Sequence, residues 1–346
     1  VSFDNLIFDG SSMLTLFDEW AKLYENPQMN LPPLNLTFRD YVLAKQNLED
    51  TIQYREDKNY WLERVKNLPA APELPILRNI VGQDMNRFSR LDMIIKKEYW
   101  DNMKIKAKKL SITPSALLLT AFSMILGRWS KSKHFTVNLT LFNRLAVHPE
   151  VNQIIGDFTS LTLLEIDMRK EDCFENYAKQ LQKRLWLDLS HSIYGGVSVL
   201  RDYSRINGIV PGSAVMPVVF TSALGLGNDS QDGAGISKMG KLIYNITQTP
   251  QVWLDHQVYE SNGDLIINWD YINYLFPYGI INEMFESYHL LLIELAKDLG
   301  RWNDLIKIPV PSHQLAARNL ENEQMDIPKK LLHECFFEQA KILPEN

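Results

Sequence analysis

TPSALLLTAFSMILGRW, Thr113 to Trp129, followed after a short polar step by FTVNLTL, Phe135 to Leu141, decides the fold class of this chain. In the first string the Thr113 hydroxyl can cap a helix while Pro114 takes the first helical position, where no amide donor is needed. Leu117, Leu118, Ala121, Phe122, Ile125, Leu126 and Trp129 then recur at the three-and-four spacing of a wide apolar stripe. From Phe135 the period becomes strict alternation, so a helix hands over to a strand. The mixture continues outward and predicts an α/β (α+β) fold.

Downstream the pattern reads as a strand at Leu161 to Ile166, a helix at Phe174 to Leu189 and a short apolar strand at Pro217 to Ser222. The clearest hairpin follows: Val252 to Glu260, an Asn262-Gly263 pair suited to a type I′ turn, and Leu265 to Asp270. A helix from Ile280 to Asp298 closes this part at Gly300. Upstream, Ser11 or Ser12 can cap a helix carrying Met13, Leu16, Phe17, Trp20, Leu23 and Tyr24 on one face, ending before Pro27. After Pro32 and Pro33 the stretch Phe38 to Val65 reads as helical again. A proline-punctuated run, Leu68 to Leu77, follows, and a subdomain boundary is expected between Pro32 and Pro75. Beyond Pro309 the polar connector Pro311 to Pro328 and a short amphipathic helix, Leu331 to Ala340, read as an interdomain linker and the first element of a following domain. The opening at Val1, already apolar, reads as a cut through a longer polypeptide.

The chain has 346 residues, with 36 Lys+Arg against 42 Asp+Glu and a net charge of -6, and no basic block that could track a phosphate backbone. Nucleic acid is therefore not an expected partner. Cys173 and Cys335 stand far apart, which suggests neither a disulfide framework nor a metal site and fits a reducing cytoplasm. No apolar run approaches the ~20 residues that span a bilayer, and no signal peptide opens the chain, so no membrane association is expected. No Gly-x-Ser-x-Gly elbow supports a hydrolase, and no Walker or Gly-x-Gly-x-x-Gly string supports nucleotide binding.

Alternation in QVWLDHQVY puts Gln251, Trp253, Asp255 and Gln257 on one strand face and Val252, Leu254 and Val258 on the other. Asp255 there reads either as a solvent-facing strand residue or as a polar site with an aromatic wall. If Asn262 and Gly263 are the central turn residues, Ser261 faces Asp264 and Asp255 faces Asp270. Two shielded carboxylates so placed would retain one proton between them. Thr221, in the apolar PVVFTS, is a satisfied core hydroxyl or a positioned donor. Asn138 and Thr140 share the polar face of their strand, with Asn143 and Arg144 at its end. Asn138 could orient an amide carbonyl and Arg144 could pair with Asp9, or both could make ordinary strand-end contacts. Asp4 and Asp9, in DNLIFDG, read alone as solvated or structural acids.

The reading sharpens when the strings are taken together. DNLIFDG, then FTVNLTLFNR with VHPEVNQIIGDFTSL, then PVVFTSALG, then QTPQVWLDHQ occur in order, and TPSALLLTAFSMILGRWS and INWDYINYLFP stand among them. This series resembles the heterocyclization domains of nonribosomal peptide synthetases, relatives of condensation domains. The tail LLHECFFEQAKILPEN resembles the opening of an adenylation domain. Condensation domains carry a His-His-x-x-x-Asp-Gly string where this chain has Asp4, Asn5 and Asp9-Gly10, a departure that separates cyclizing from purely condensing relatives.

The resemblance implies a chloramphenicol-acetyltransferase-like fold of two lobes with a tunnel between them. Residues 1-45 would be the C-terminal part of an incomplete first lobe, 46-308 the second lobe, and 309-346 the linker and start of an adenylation domain. It implies condensation of an upstream acyl thioester with a downstream Cys, Ser or Thr thioester, then cyclodehydration to a thiazoline or oxazoline. Asp255 and Thr221 would be catalytic, with Asp4, Asp9, Asn138, Arg144, Asp157, Gln257 and Asp270 supporting. No cofactor or metal is implied in the domain itself. Phosphopantetheine arms of upstream and downstream carrier domains would deliver the substrates. A condensation-only acyltransferase and a noncatalytic carrier-docking module are the alternatives.

Overall fold

Helix α5 (Pro114–Trp129) is buried all round from Ala116 to Gly127, not along one stripe alone. Its two mid-helix hydroxyls are tolerated there because each turns back on its own backbone: Thr120 Oγ1 donates to the Ala116 carbonyl and Ser123 Oγ to that of Leu119, both at 2.7 Å. The Thr113 side chain accepts from Ala116 N and Pro114 opens the first turn, as the sequence predicts. The computed structural model describes residues 2–4, 6–77, 87–142, 144–225, 240, 243–308, 310–311, 314, 316 and 333–343. Asn143 and most of the connector after Pro311 lie outside them.

Around α5 the chain forms one six-stranded mixed sheet. Its strands are β1 (Phe88–Ile95), β2 (His134–Phe142), β3 (Thr159–Asp167), β4 (Val218–Ser222), β5 (Leu254–Ser261) and β6 (Asp264–Ile272), in the order β1-β6-β5-β4-β2-β3. β4 runs parallel to both β2 and β5, and the remaining pairs are antiparallel. One sheet face is apolar and carries Val137, Leu139, Val218, Phe220, Leu254, Val258, Ile267 and Trp269 into the main core. That core is completed by α4 (Lys97–Lys109), α5, α6 (Phe174–Leu189) and α8 (Ile280–Lys297). On the opposite face, at the β3 end, Leu163 packs with Trp61, Val65, Tyr194, Val199 and Tyr203. These come from α3 (Ile52–Val65), α7 (Gly196–Ile206) and the turn before α7. Toward the middle of the sheet that face carries a polar cluster, Arg90, Asp270, Asp255, Gln257, Thr221, Asn138 and Thr140, with Val219 among them.

Three expectations need correction. The first helix, α1 (Gly10–Glu25), is capped by Asp9, whose carboxylate accepts from Ser12 N at 2.7 Å, and not by Ser11 or Ser12. The long helical stretch after Pro33 is broken: α2 (Phe38–Asn47) ends in a 3-10 turn at Leu48–Asp50, and Thr51 caps α3 afresh. Strand β5 starts at Leu254, because Gln251 has a left-handed φ of 67° that ends the alternation before it. The hairpin turn itself is as predicted, with φ of 52° at Asn262 and 82° at Gly263, both left-handed.

The described chain divides into a unit at 1–308 and a second at 309–346. The second carries α9 (Glu334–Ile342). Among the described residues no single helix is long and apolar enough to cross a membrane.

Candidate active site

The polar face is built by register. One row across the sheet runs Arg90, Asp270, Asp255, Val219 and Asn138, and the next runs Asp92, Asn268, Gln257, Thr221 and Thr140. Asp255 therefore faces Asp270, and Ser261 faces Asp264, as turn geometry predicts. Thr221 stands on the neighbouring parallel strand, diagonal to Asp255. Its hydroxyl lies 3.2 Å from Asp255 Oδ1 and 2.9 Å from Thr140 Oγ1.

Gln257 Nε2 donates to Asp255 Oδ2 at 2.7 Å and lies 3.3 Å from Asp270 Oδ2, while its Oε1 accepts from Arg90 Nη2 at 3.2 Å. Thr247, on the irregular segment before β5, lies over both acids. Its hydroxyl is 3.1 Å from Asp255 Oδ2 and 2.7 Å from Asp270 Oδ2, and its backbone N donates to the latter at 2.9 Å.

The two carboxyls differ in their counter-ions. Arg90 reaches from the edge strand and grips Asp270 with two bonds, Nε to Oδ1 at 2.6 Å and Nη2 to Oδ2 at 2.5 Å; Arg90 also bonds Asn245 Oδ1. Both members of this ion pair are buried. Asp255, 9% exposed, meets no cation among the described residues. Burial pushes its carboxyl up to about 6; the Gln257 amide opposes this, and the negative charge of Asp270 adds to it. The expectation of two unaided carboxylates is corrected by Arg90, which neutralises one of them. The resulting site holds a carboxyl that can exist in both protonation states near neutrality, beside a hydroxyl and an amide.

His256, next to Asp255 in sequence, points the other way. It is fully buried among Phe122, Phe220, Trp269 and Tyr288, with Nε2 3.0 Å from the Tyr288 hydroxyl, and burial holds it down to about 3. It is a neutral core residue. Trp253, expected as an aromatic wall, packs against the main core. Asn138 lies on the site's face but two strands from Asp255, with Val219 between them. Its Oδ1 is buried and has no hydrogen-bond partner among the described residues.

Asp9 and Arg144 form a second constellation. Arg144 Nη2 donates to Asp9 Oδ1 and to Ser12 Oγ, both at 2.9 Å. Its Nη1 donates to the carbonyls of Val151 at 3.0 Å and Ile154 at 2.9 Å, and its guanidinium lies 4.0 Å over the Phe158 ring. Gly156 closes the clasp: its carbonyl accepts from Asp9 N at 3.1 Å and from Ser12 Oγ at 2.9 Å. Asp157 beside it caps Thr159 N at 3.0 Å, and exposed Asp4 accepts from Leu6 N at 3.0 Å. Neither reaches the Asp255 cluster through a described hydrogen bond.

Residues 3–309 match the family described as Condensation domain. Bacitracin synthase 1 of Bacillus licheniformis is 38% identical over 343 residues, which cover 99% of this chain and 6% of that protein. Phenyloxazoline synthase MbtB of Mycolicibacterium paratuberculosis is 36% identical over 350 residues, covering 100% of this chain and 29% of that protein. The chain thus spans less than a third of these curated relatives. Among solved structures, the EpoB cyclization-docking bidomain from the nonribosomal peptide synthetase (NRPS) of Sorangium cellulosum aligns with a TM-score of 0.78 at 37% identity, over 87% of this chain and 60% of that one.

Proposed function

Because this chain belongs to the condensation-domain family, and within it to the heterocyclization domains of nonribosomal peptide synthetases, we propose that it joins a carrier-bound acyl group to a carrier-bound Cys, Ser or Thr and then cyclizes the product with loss of water. In this reading residues 1-45 complete a first lobe and 46-308 form the second. The flanking carrier domains present both substrates on phosphopantetheine arms, and an adenylation domain follows.

Amide formation between two tethered reactants needs chiefly proximity, which can supply ~7-11 kcal/mol of a barrier. Cyclodehydration needs more. The side-chain heteroatom bonds to the amide carbon, the carbonyl oxygen departs as water, and its two protons come from the attacking group and the amide nitrogen. A carboxyl that takes those protons and returns them to the leaving oxygen ends the cycle unchanged.

The observation that carries the reading is Asp255: buried, without a cation among the described residues, raised to about 6, and hydrogen-bonded to Thr221 and Gln257. Asp255 is the proton carrier and Thr221 its partner. Asn138 Oδ1, buried and unpaired among the described residues, is an acceptor for an amide N–H of the substrate. The phenyloxazoline named for one relative and the cyclization named for another support the same chemistry.

The test is mass analysis of products from the intact synthetase with loaded carriers. Loss of one water from the condensed product is expected; an uncyclized amide alone would mean condensation only, and no amide at all a docking module. Asp255→Ala and Thr221→Val should leave amide formation and lower cyclization by roughly 10²-fold or more.

A further inference from the structure

We infer that Thr247 is a positioning residue that assigns the proton of the facing Asp255–Asp270 pair to Asp255, an inference that rests on Asp255 acting in cyclodehydration as proposed above. A threonine hydroxyl has one hydrogen and two lone pairs, and the neighbours of Thr247 Oγ1 use all three. Gln257 Nε2, which can only donate, lies 2.5 Å away and takes one lone pair. The hydrogen must then go to one of two carboxyl oxygens, Asp270 Oδ2 at 2.7 Å or Asp255 Oδ2 at 3.1 Å.

Asp270 is the better acceptor. It is nearer, it is ion-paired with Arg90, and the same Oδ2 already receives Thr247 N at 2.9 Å. With the hydrogen spent on Asp270, a lone pair of Thr247 faces Asp255 Oδ2. Two lone pairs repel, so the contact is favourable when Asp255 itself carries a hydrogen there. Thr247 thereby separates two otherwise similar acids: it donates to the one ion-paired with Arg90 and accepts from the one that transfers protons.

Among the described residues the charged groups around Asp255 are few. Asp270 comes from β6 and Arg90 from β1; exposed Asp92 lies opposite Asn268 in the next row. On β4 and β2 the same face carries Val219, Thr221, Asn138 and Thr140, none charged.

The experiment uses the intact synthetase with loaded carriers, scoring cyclized against linear product across pH for wild type, Thr247→Val and Thr247→Ser, each checked by thermal unfolding. Valine keeps the shape and removes the hydroxyl. Its cyclized-to-linear ratio near neutrality should fall roughly tenfold, because a proton-transfer group loses its alignment. The limb of the pH profile that reports Asp255 should move down by about one unit, because the protonated acid has lost its acceptor. Serine should restore both. An upward shift in the valine variant would place the Thr247 hydrogen on Asp255 and overturn the assignment. An unmoved limb and ratio, with wild type cyclizing, would overturn it as well. Wild type releasing only linear amide would instead overturn the proposed function.

Discussion

Asp270 and Asp255 stand opposite each other on paired strands, yet Asp270 is locked in a two-bond ion pair with Arg90 while Asp255 has no cation among the described residues. Identical side chains in one row are thereby given different work. The anchored acid fixes Arg90, Gln257 and Thr247; the unanchored one is free to change its charge.

That freedom has a cost in stability. A carboxyl raised to about 6 in the folded state, against ~3.9 unfolded, binds more protons folded than unfolded between those values. Its penalty is therefore absent below about pH 4, grows through the window, and is complete above about 6. Asp255→Asn should stabilise the domain by roughly 2-3 kcal/mol at pH 7.5, with the gain vanishing near pH 4, while cyclization is lost. Thermal unfolding at the two pH values checks this; an equal shift at both would mean that the charge of Asp255 carries no penalty.

Asp270→Asn should act in two ways. It leaves the Arg90 guanidinium buried without its anion, which costs about 3-5 kcal/mol. It also turns that positive charge toward Asp255 while removing a negative one, so the limb of the cyclization profile that reports Asp255 should move to lower pH. Rate profiles at temperatures below the variant's unfolding transition would measure the shift, and a limb moving upward would contradict the account.

The clasp at Asp9 predicts a purely structural defect. Asp9 and Arg144 are both buried, and Asp9→Asn removes the only carboxylate bonded to that guanidinium among the described contacts. A loss of about 3-5 kcal/mol in unfolding free energy is expected. Denaturant titration measures it, and a loss under 1 kcal/mol would mean that the backbone carbonyls of Val151 and Ile154 suffice to hold Arg144.

Gly156→Ala should be nearly as harmful for a different reason. An added Cβ would sit 2.2 Å from Phe38 Cδ2, and that ring is held edge-on against Phe158 and stacked on Tyr41. The ring cannot yield without disturbing its neighbours, so a loss of at least ~1-3 kcal/mol is expected. Combining it with Phe38→Leu should recover part of the loss; no recovery would place the strain in the backbone.

Local pattern made part of this site legible. Alternation and the Asn262-Gly263 turn are enough to set Asp255 opposite Asp270, because a two-residue loop fixes every pair beyond it. The same pattern is silent on Arg90, which lies 180 residues before Asp270 and joins it only because β1 docks on β6 at the sheet edge. Thr247 is silent for another reason: its segment has no period, and its place is fixed by hydrogen bonds to residues on two strands. The break between α2 and α3 carries no sequence signal, because Leu48 to Thr51 contain neither Gly nor Pro, and a capping threonine has the same residue type as an ordinary helix position until its side chain turns back on the Tyr54 amide.

The Asp9–Arg144 bond joins residues 135 positions apart. At ~5-20 residues per second, a ribosome adds that much chain in roughly 7-27 s. For most of that interval the helix after Asp9 has been made while the arginine that secures its first turn, and the Gly156 carbonyl that receives Ser12, have not. The first turn of α1 therefore waits for partners made much later, and slowing translation between Glu25 and Arg144 would lengthen the time in which Asp9 and Ser12 lack them.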